Sequence, residues 1–281
     1  MAVTNFIPEI WSARLLHNLD KAHVAVNLVN RNYEGEIRDK GDTVTINTIG
    51  PVTINDYVKN QDISDPEELT TSDQKLTITQ GKYFNFQVDD IDAVQAAGDM
   101  MDTAMSRAAY GLNDVADAYL LATMANGADA GNVIGSDEAV ALNADNVYAQ
   151  MVALAQKLNE ANVPTEGRSV VVPPCVYSLL LLDDRFVKAS DGATANKALL
   201  NGEVGSVAGM TVCMSNNVLK EENTYSITAS VKYATTFAEQ IVKTEAYRME
   251  KRFADAVKGL HVYGAKVTDA KAIAVLKATV A

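Results

Sequence analysis

From Asp42 onward the apolar positions recur every second residue: Val44 and Ile46, then Val52 and Ile54 beyond the Gly50-Pro51 break, then Leu76 and Ile78, and finally Phe84, Phe86 and Val88. Period two is the signature of strands with one covered face. Between the two strand groups, residues 58–74 hold Asp62, Asp65, Glu67, Glu68 and Asp73 around Pro66. A structureless connection of that length is uncommon inside a compact domain, so the pattern predicts a projecting hairpin with an acidic tip. A two-stranded ribbon cannot bury its apolar face alone and needs a platform, either on its own domain or elsewhere.

The period then changes to that of a helix. Ile91, Val94, Gly98, Met101, Met105, Ala108, Leu112, Val115 and Tyr119 are spaced by threes and fours over residues 89–125, which predicts a helix on the order of 50 Å long. Asp89, Asp90, Asp92, Asp99 and Asp102 crowd its first turns, and no basic residue precedes Arg107, the arrangement that suits the positive end of a helix dipole. Residues 126–137, with Gly127, Gly131 and Gly135, read as a linker and a domain boundary. Beyond it the chain alternates: a helix carrying Leu142, Val147, Met151, Leu154 and Leu158, a buried strand at 169–172, and a helix over 175–186 after Pro173-Pro174. Strands follow at 202–215, 225–229, 237–252, 260–267 and 272–276. At the other end, residues 9–31 begin like a helix and continue as an extended arm, whose Trp11 either caps a local core or anchors on a neighbouring subunit. The fold class is α+β.

Composition narrows the function. At 281 residues, with 48% hydrophobic and 21% charged positions, the chain has the profile of an ordinary globular protein of one large or two modest domains. With 24 Lys and Arg against 36 Asp and Glu, its formal charge is −12. Such a surface repels phosphate backbones and argues against sequence-directed nucleic-acid binding. The charge-free stretch at 169–182 is too short for a bilayer and is broken by prolines, and the start lacks a signal-peptide pattern, so cytoplasmic synthesis is expected. Cys175 and Cys213 read as reduced core thiols.

Signatures of chemistry are missing: there is no Walker-A pattern, no Gly-x-Gly-x-x-Gly, no His-Glu-x-x-His and no Cys-x-x-Cys. His17 and His23 are six residues apart and do not share a helix face, and with His261 they read as packing or surface residues instead of metal ligands. The carboxylate pairs Asp89-Asp90 and Asp183-Asp184 fit helix capping and solvation better than cation binding. The glycines of residues 202–209 read as tight turns, since no Lys follows them. No cofactor, metal or catalytic residue is expected.

The order of elements resembles that of tailed-bacteriophage major capsid proteins with the HK97 fold. The resemblance is carried by Gly41-Asp42-Thr43-Val44-Thr45-Ile46 with Ile49-Gly50-Pro51-Val52-Thr53, and by Leu76-Thr77-Ile78 with the run from Gly81 to Asp92 into the helix. It continues through Gly205-Ser206-Val207-Ala208-Gly209-Met210, Ser215-Asn216-Asn217-Val218, Tyr247-Arg248-Met249-Glu250 and the run from Gly259 to Val267. It implies an N-arm over 1–38, an extended E-loop hairpin over 39–88, and a peripheral domain with its spine helix over 89–138. An axial domain over 139–235, a long peripheral strand over 236–256 and a return to the axial domain over 257–281 complete it. It also implies copies that form hexamers and pentamers of an icosahedral shell around double-stranded DNA, in a virion assembled in the bacterial host cytoplasm, with no membrane. Under that likeness Trp11, Val44, Ile46, Val52, Ile54, Leu76, Ile78, Phe84 and Phe86 are candidate subunit-interface residues, the ribbon finding its platform on an adjacent copy.

Family members usually expand after assembly, and the spine helix and E-loop are the elements expected to move. Because the N-arm starts almost at Met1, a scaffolding protein, like portal and decoration proteins, is expected to be separate. A Lys-Asn crosslink is not expected, since Lys59 and Lys75 have no identifiable Asn partner. Three rivals stand beside this reading: an encapsulin-like nanocompartment shell, a phage tail or connector protein, and an α/β enzyme, because missing motifs do not prove missing chemistry.

Overall fold

The computed structural model describes residues 24–33, 43–49, 52–57, 59, 60, 62, 65–68, 71–89, 100–183, 205–251 and 253–280. Trp11, His17, His23 and the acidic run from Asp90 to Asp99 lie outside the described residues.

Along the chain, the ribbon comprises β1 (Thr43–Ile49) and β2 (Thr71–Thr77), and β3 (Gln80–Asp89) follows directly. Helix α1 spans Met100–Asn126, and the short strands β4 (Val133–Ile134) and β5 (Val140–Leu142) come next. Helix α2 (Val147–Glu160), β6 (Arg168–Val172) and helix α3 (Pro174–Leu182) form the middle. The last third is strands: β7 (Ser206–Val207), β8 (Met210–Met214), β9 (Lys220–Glu221), β10 (Thr224–Val231), β11 (Thr235–Arg248), β12 (Ala254–Val267) and β13 (Ile273–Val280).

Among the described residues these strands form three sheets. β1 and β2 pair only with each other, in antiparallel register from Thr43 opposite Thr77 to Ile49 opposite Thr71. An eight-stranded mixed sheet runs β4-β13-β10-β6-β8-β7, with β5 on β13 and β9 on β10. Its central β6 is buried along its whole length, as a strand covered on both faces must be. The third sheet, β11-β12-β3, is antiparallel. A bulge between Ile241 and Lys243 keeps the apolar phase of β11 in step with β12.

This pairing redraws the organisation read from the sequence. β3, grouped there with the ribbon, pairs along β12 from Gln80 opposite Tyr263 to Asp89 opposite Ala254. Residues 257–267, grouped with the returning segment, belong to the same uninterrupted strand β12. Val52 and Ile54, expected in a strand, lie outside any strand. The glycine-rich stretch after α1 is a built connection: β4 pairs parallel with β13, and Gly135 takes φ +77°, which a side chain would strain.

Two larger cores hold the architecture. Met151, Leu154, Ala155 and Leu158 recur on one face of α2 and pack on the eight-stranded sheet with Val176, Tyr177 and Leu180 of α3. Pro173 caps α3 and Pro174 opens it, where a missing N–H costs nothing. Arg168 fixes the end of α2: its guanidinium, itself buried, donates to Asn159 Oδ1 at 2.7 Å, Val163 O at 2.6 Å and Pro164 O at 2.8 Å. The second core joins Ala116, Leu120, Leu121 and Met124 of α1 to Phe237, Tyr263 and the N-terminal segment Ala25, Val26 and Val29. The buried seam of α1 runs Met105, Ala109, Leu112, Ala116, Leu120 and Met124. The expected seam through Ala108 and Val115 is displaced by about one position, and Val115 is exposed. Small Ala109 and Ala116 let the helix approach the sheet more closely than Val115 would, and the bulky residues sit one step on.

Candidate functional site

The ribbon and the sheet beneath it hold nearly all the candidate interface residues, and they separate these into three groups. Val44, Ile46, Leu76 and Ile78 share one face of the ribbon root by alternation and are buried against Ala238 and Val262, with Tyr33 beside them. The expectation that these four await a neighbour is therefore corrected: the platform is the chain's own β11-β12 face. Gly264 makes the seat possible, since a Cβ there would come within 2.6 Å of Thr77 O and 3.1 Å of Ile78 Cα. Gln74 Nε2 adds a hydrogen bond to Thr268 O at 3.0 Å.

Phe84 and Phe86 form the second group. Their rings stack at 5.9 Å and, half-buried, they pack against Met105, Ala109, Leu112 and Val257 on the helix side of the long sheet. Gly259 provides the floor, because a Cβ there would meet the Phe84 ring at 2.4 Å. These two are partly held within the chain, packed on α1.

The third group is open. Val52 is 56% and Ile54 91% exposed, and Tyr57, which sequence reasoning passed over, is 76% exposed. They lie beyond β1 among exposed Asp56, Asp62, Asp65, Glu67 and Glu68, and Thr53 N–H donates to Glu67 Oε2 at 3.0 Å across the loop. Three large apolar side chains in one acidic loop have no place in a subunit's own core.

A second open surface lies on the long sheet. The alternation that turns Phe84 and Phe86 toward α1 sends Tyr83 and Asn85 to the opposite face, where the ribbon root covers only the part around Ala238 and Val262. The remainder is a shallow groove lined by Tyr83, Asn85, Glu245, Lys258, Gly259 and Leu260, with Tyr83 78% exposed. Lys258 pairs with Glu245 at 2.9 Å, and this hydrogen bond, with the carboxylate's charge, holds the ammonium above its usual range. Lys258 Nζ also sits 5.2 Å from the centre of the Tyr247 ring. Sequence reading missed Tyr83, Tyr247 and Leu260; the available signal was large apolar residues standing in the polar phase of the alternation.

Where the N-terminal segment meets the sheet, the Glu239 carboxylate takes Arg31 Nη2 on one oxygen at 3.0 Å and His261 Nε2 on the other at 3.1 Å. Both Asn30 backbone groups pair with β11, the N–H to Thr235 O and the carbonyl accepting from Phe237 N–H, each at 2.9 Å. The described part of the arm thus packs on its own chain. Nearby, burial and the neighbouring Tyr119 push the Tyr263 phenol up to about 12.

Among the described residues no three His, Cys, Asp or Glu side chains are grouped to hold a metal, and no helix is long and apolar enough to cross a membrane. Cys175 and Cys213 are both free thiols. What the arrangement offers is contact area: an exposed apolar loop at one extremity and an uncovered aromatic face at another.

Comparison with known proteins accords with that geometry. A family model described as phage capsid protein matches residues 73–276. A solved structure from Mycobacterium phage Che8 is similar at 29% identity, with a TM-score of 0.72 over 98% of this chain and 98% of that one. The capsid structure of Cyanophage P-SCSP1u is similar in fold at 15% identity, with a TM-score of 0.71 over 92% of this chain and 88% of the other. An encapsulin complex from Synechococcus elongatus shares the fold at 11% identity, with a TM-score of 0.59 over 99% of this chain and 92% of that one. Among curated proteins, none matches.

Proposed function

The chain belongs to the phage capsid protein family, with the HK97-like fold and the structural role of a major capsid protein, and we propose that its copies close into an icosahedral shell of hexamers and pentamers around double-stranded DNA. One observation carries this reading: a ribbon rooted on its own sheet that holds Val52, Ile54 and Tyr57 out in solvent. In a shell each tip loop lies on a neighbour, and the uncovered face around Tyr83, Tyr247 and Leu260 is the surface that receives it. Obligate contacts of this kind bury well over about 2,000 Å² per pair.

The charge of −12 fits the contents. A shell wall that does not grip phosphates leaves packaged DNA free to move during filling and ejection. In this reading the protein is structural and not catalytic and assembles in the host cytoplasm, with scaffolding, portal and decoration proteins as candidate partners. The tip loop and α1 are the parts that shift if the shell expands. The match of the phage family model to residues 73–276, with the 29% identity to the Che8 structure, favours a genome container over an enzyme-packaging compartment.

Negative-stain electron microscopy with light scattering, on protein made with and without its genomic neighbours, tests the proposal. Closed shells or five- and six-fold rings are expected, with nucleic acid as the contents when the packaging machinery is present. A stable monomer under every condition overturns it.

A further inference from the structure

Two halves of a strand pairing stand apart in this chain. β3 closes one side of the β11-β12-β3 sheet, and among the described residues nothing pairs along its outer edge. Over its ten residues, alternate backbone N–H and C=O groups point away from β12, a row about 30 Å long. The other half is residues 52–57. Val52, Ile54 and Asp56 alternate there with Thr53, Asn55 and Tyr57 without a turn or bend, yet the stretch belongs to no strand and all six residues are exposed.

The chain cannot join these halves within itself. β2 passes Thr268 at Gln74 and Gly264 at Thr77, and β3 carries on in the same direction along β12, from Tyr263 to Ala254. The ribbon therefore projects about 20 Å from its root one way while β3 runs about 30 Å the other way. A strand from the tip meets such an edge only on a second copy.

Shape and charge fit that partner. Seated with Val52 and Ile54 beside the exposed Tyr83, the segment turns Tyr57 to the opposite face, that of the half-buried Phe84 and Phe86. Cross-strand pairs of an aromatic with a β-branched or second aromatic side chain are favourable. Between Gln80 and Val88 the one charged residue is Lys82, which is exposed, whereas residues 52–68 carry Asp56, Asp62, Asp65, Glu67 and Glu68 against Lys59. A lysine on a sheet edge discourages indiscriminate pairing and favours an acidic strand.

We propose that residues 52–57 of one copy add as a further strand to β3 of the next, so that the strand period unused within the chain is satisfied between chains. Each copy gives a strand at one end and receives one at the other, a heterologous contact that closes into rings. The proposal rests on the shell-forming reading above and specifies how the tip is held: by backbone hydrogen bonds in register, beyond apolar contact alone.

The test uses the full chain with Cys175→Ser and Cys213→Ala. Ile54→Cys combined with Tyr83→Cys or Asn85→Cys places two thiols on one face of adjacent strands, and oxidation is expected to give disulfide-linked multimers on a denaturing gel. Thr53→Cys with Tyr83→Cys places them on opposite faces and stays unlinked. Equal linkage of Thr53 and Ile54 overturns the strand, because a loop docked without register has no parity. Hydrogen exchange supplies the backbone readout: on linkage or assembly the β3 amides that do not pair with β12 slow about tenfold, and the others do not change. Shells whose β3 edge exchanges as in single chains overturn the proposal and leave the shell reading standing. Linked multimers with a protected β3 edge but no closed shells support strand addition and sink the shell reading. Neither multimers nor particles overturns both.

Discussion

Gly264 of β12 lies directly beneath Thr77 of β2, so close that a methyl group on Gly264 would approach the Thr77 carbonyl oxygen to 2.6 Å. The obstacle is backbone, which cannot swing aside as a side chain can. Gly264→Ala therefore lifts the ribbon root from its seat over Val262 and Ala238. The expected cost is about 1–3 kcal/mol in a denaturant melt, with faster hydrogen exchange confined to β1 and β2. Unchanged protection of the ribbon would show that the seat tolerates a side chain.

Leu76 and Ile54 belong to the same hairpin but to different surfaces, one buried in the subunit and the other exposed. Leu76→Ala should cost about 2–5 kcal/mol of subunit stability through the cavity it leaves. Ile54→Ser should change subunit stability by less than about 0.5 kcal/mol and reduce the yield of assembled particles in sedimentation. The two variants behaving alike in both assays would remove the distinction between root and tip.

Arg168 ends α2 with three hydrogen bonds to Asn159, Val163 and Pro164. Arg168→Ala leaves the buried Val163 carbonyl without its donor, at an expected cost of about 1–3 kcal/mol. Urea unfolding of the parent and variant measures it, and a loss below the error of the melt would assign the guanidinium no part in stability.

Tyr263 makes stability fall at alkaline pH. Its phenol sits at about 12 in the folded chain against an ordinary value of 10.0, because burial and then Tyr119 disfavour the phenolate. Between these values the unfolded chain has released the proton and the folded chain still holds it. Fewer protons are bound in the unfolded state, so stability is lost as pH rises through this window, at up to about 1.4 kcal/mol per pH unit. Tyr263→Phe should flatten that part of the profile, and a slope identical to the parent's would assign the loss to other groups.

The division between what was legible and what was not follows from the range of each signal. Strand period, helix period and chain order are local, and they placed β1, β2, α2, β6 and β10 within a few residues. The exposure of Val52 and Ile54 was not legible, since their alternation reads as a strand and only the structure leaves them outside one. The seam of α1 was not, because period 3.6 tolerates two neighbouring stripes, and the close approach permitted by Ala109 and Ala116 chose between them. Short strands such as β4 and β9, two residues each, carry no period at all and exist only through their partners β13 and β10.

By itself the sequence determined that one face of the ribbon must be covered, that a long helix follows it, that the surface is acidic, and in what order the elements come. Only the tertiary structure decided what covers that face. Alternation at Val44, Ile46, Leu76 and Ile78 states a need for apolar contact but not its source, and the source was set by a glycine some 190 residues further along the chain, Gly264, that admits the ribbon onto its own sheet. The same holds for Asp117, which accepts the Ala25 N–H across a separation of 92 residues, and for β3, which reads as ribbon and pairs as sheet. Contacts between distant segments depend on how closely two backbones can approach, and nothing in the local pattern of either segment records that distance.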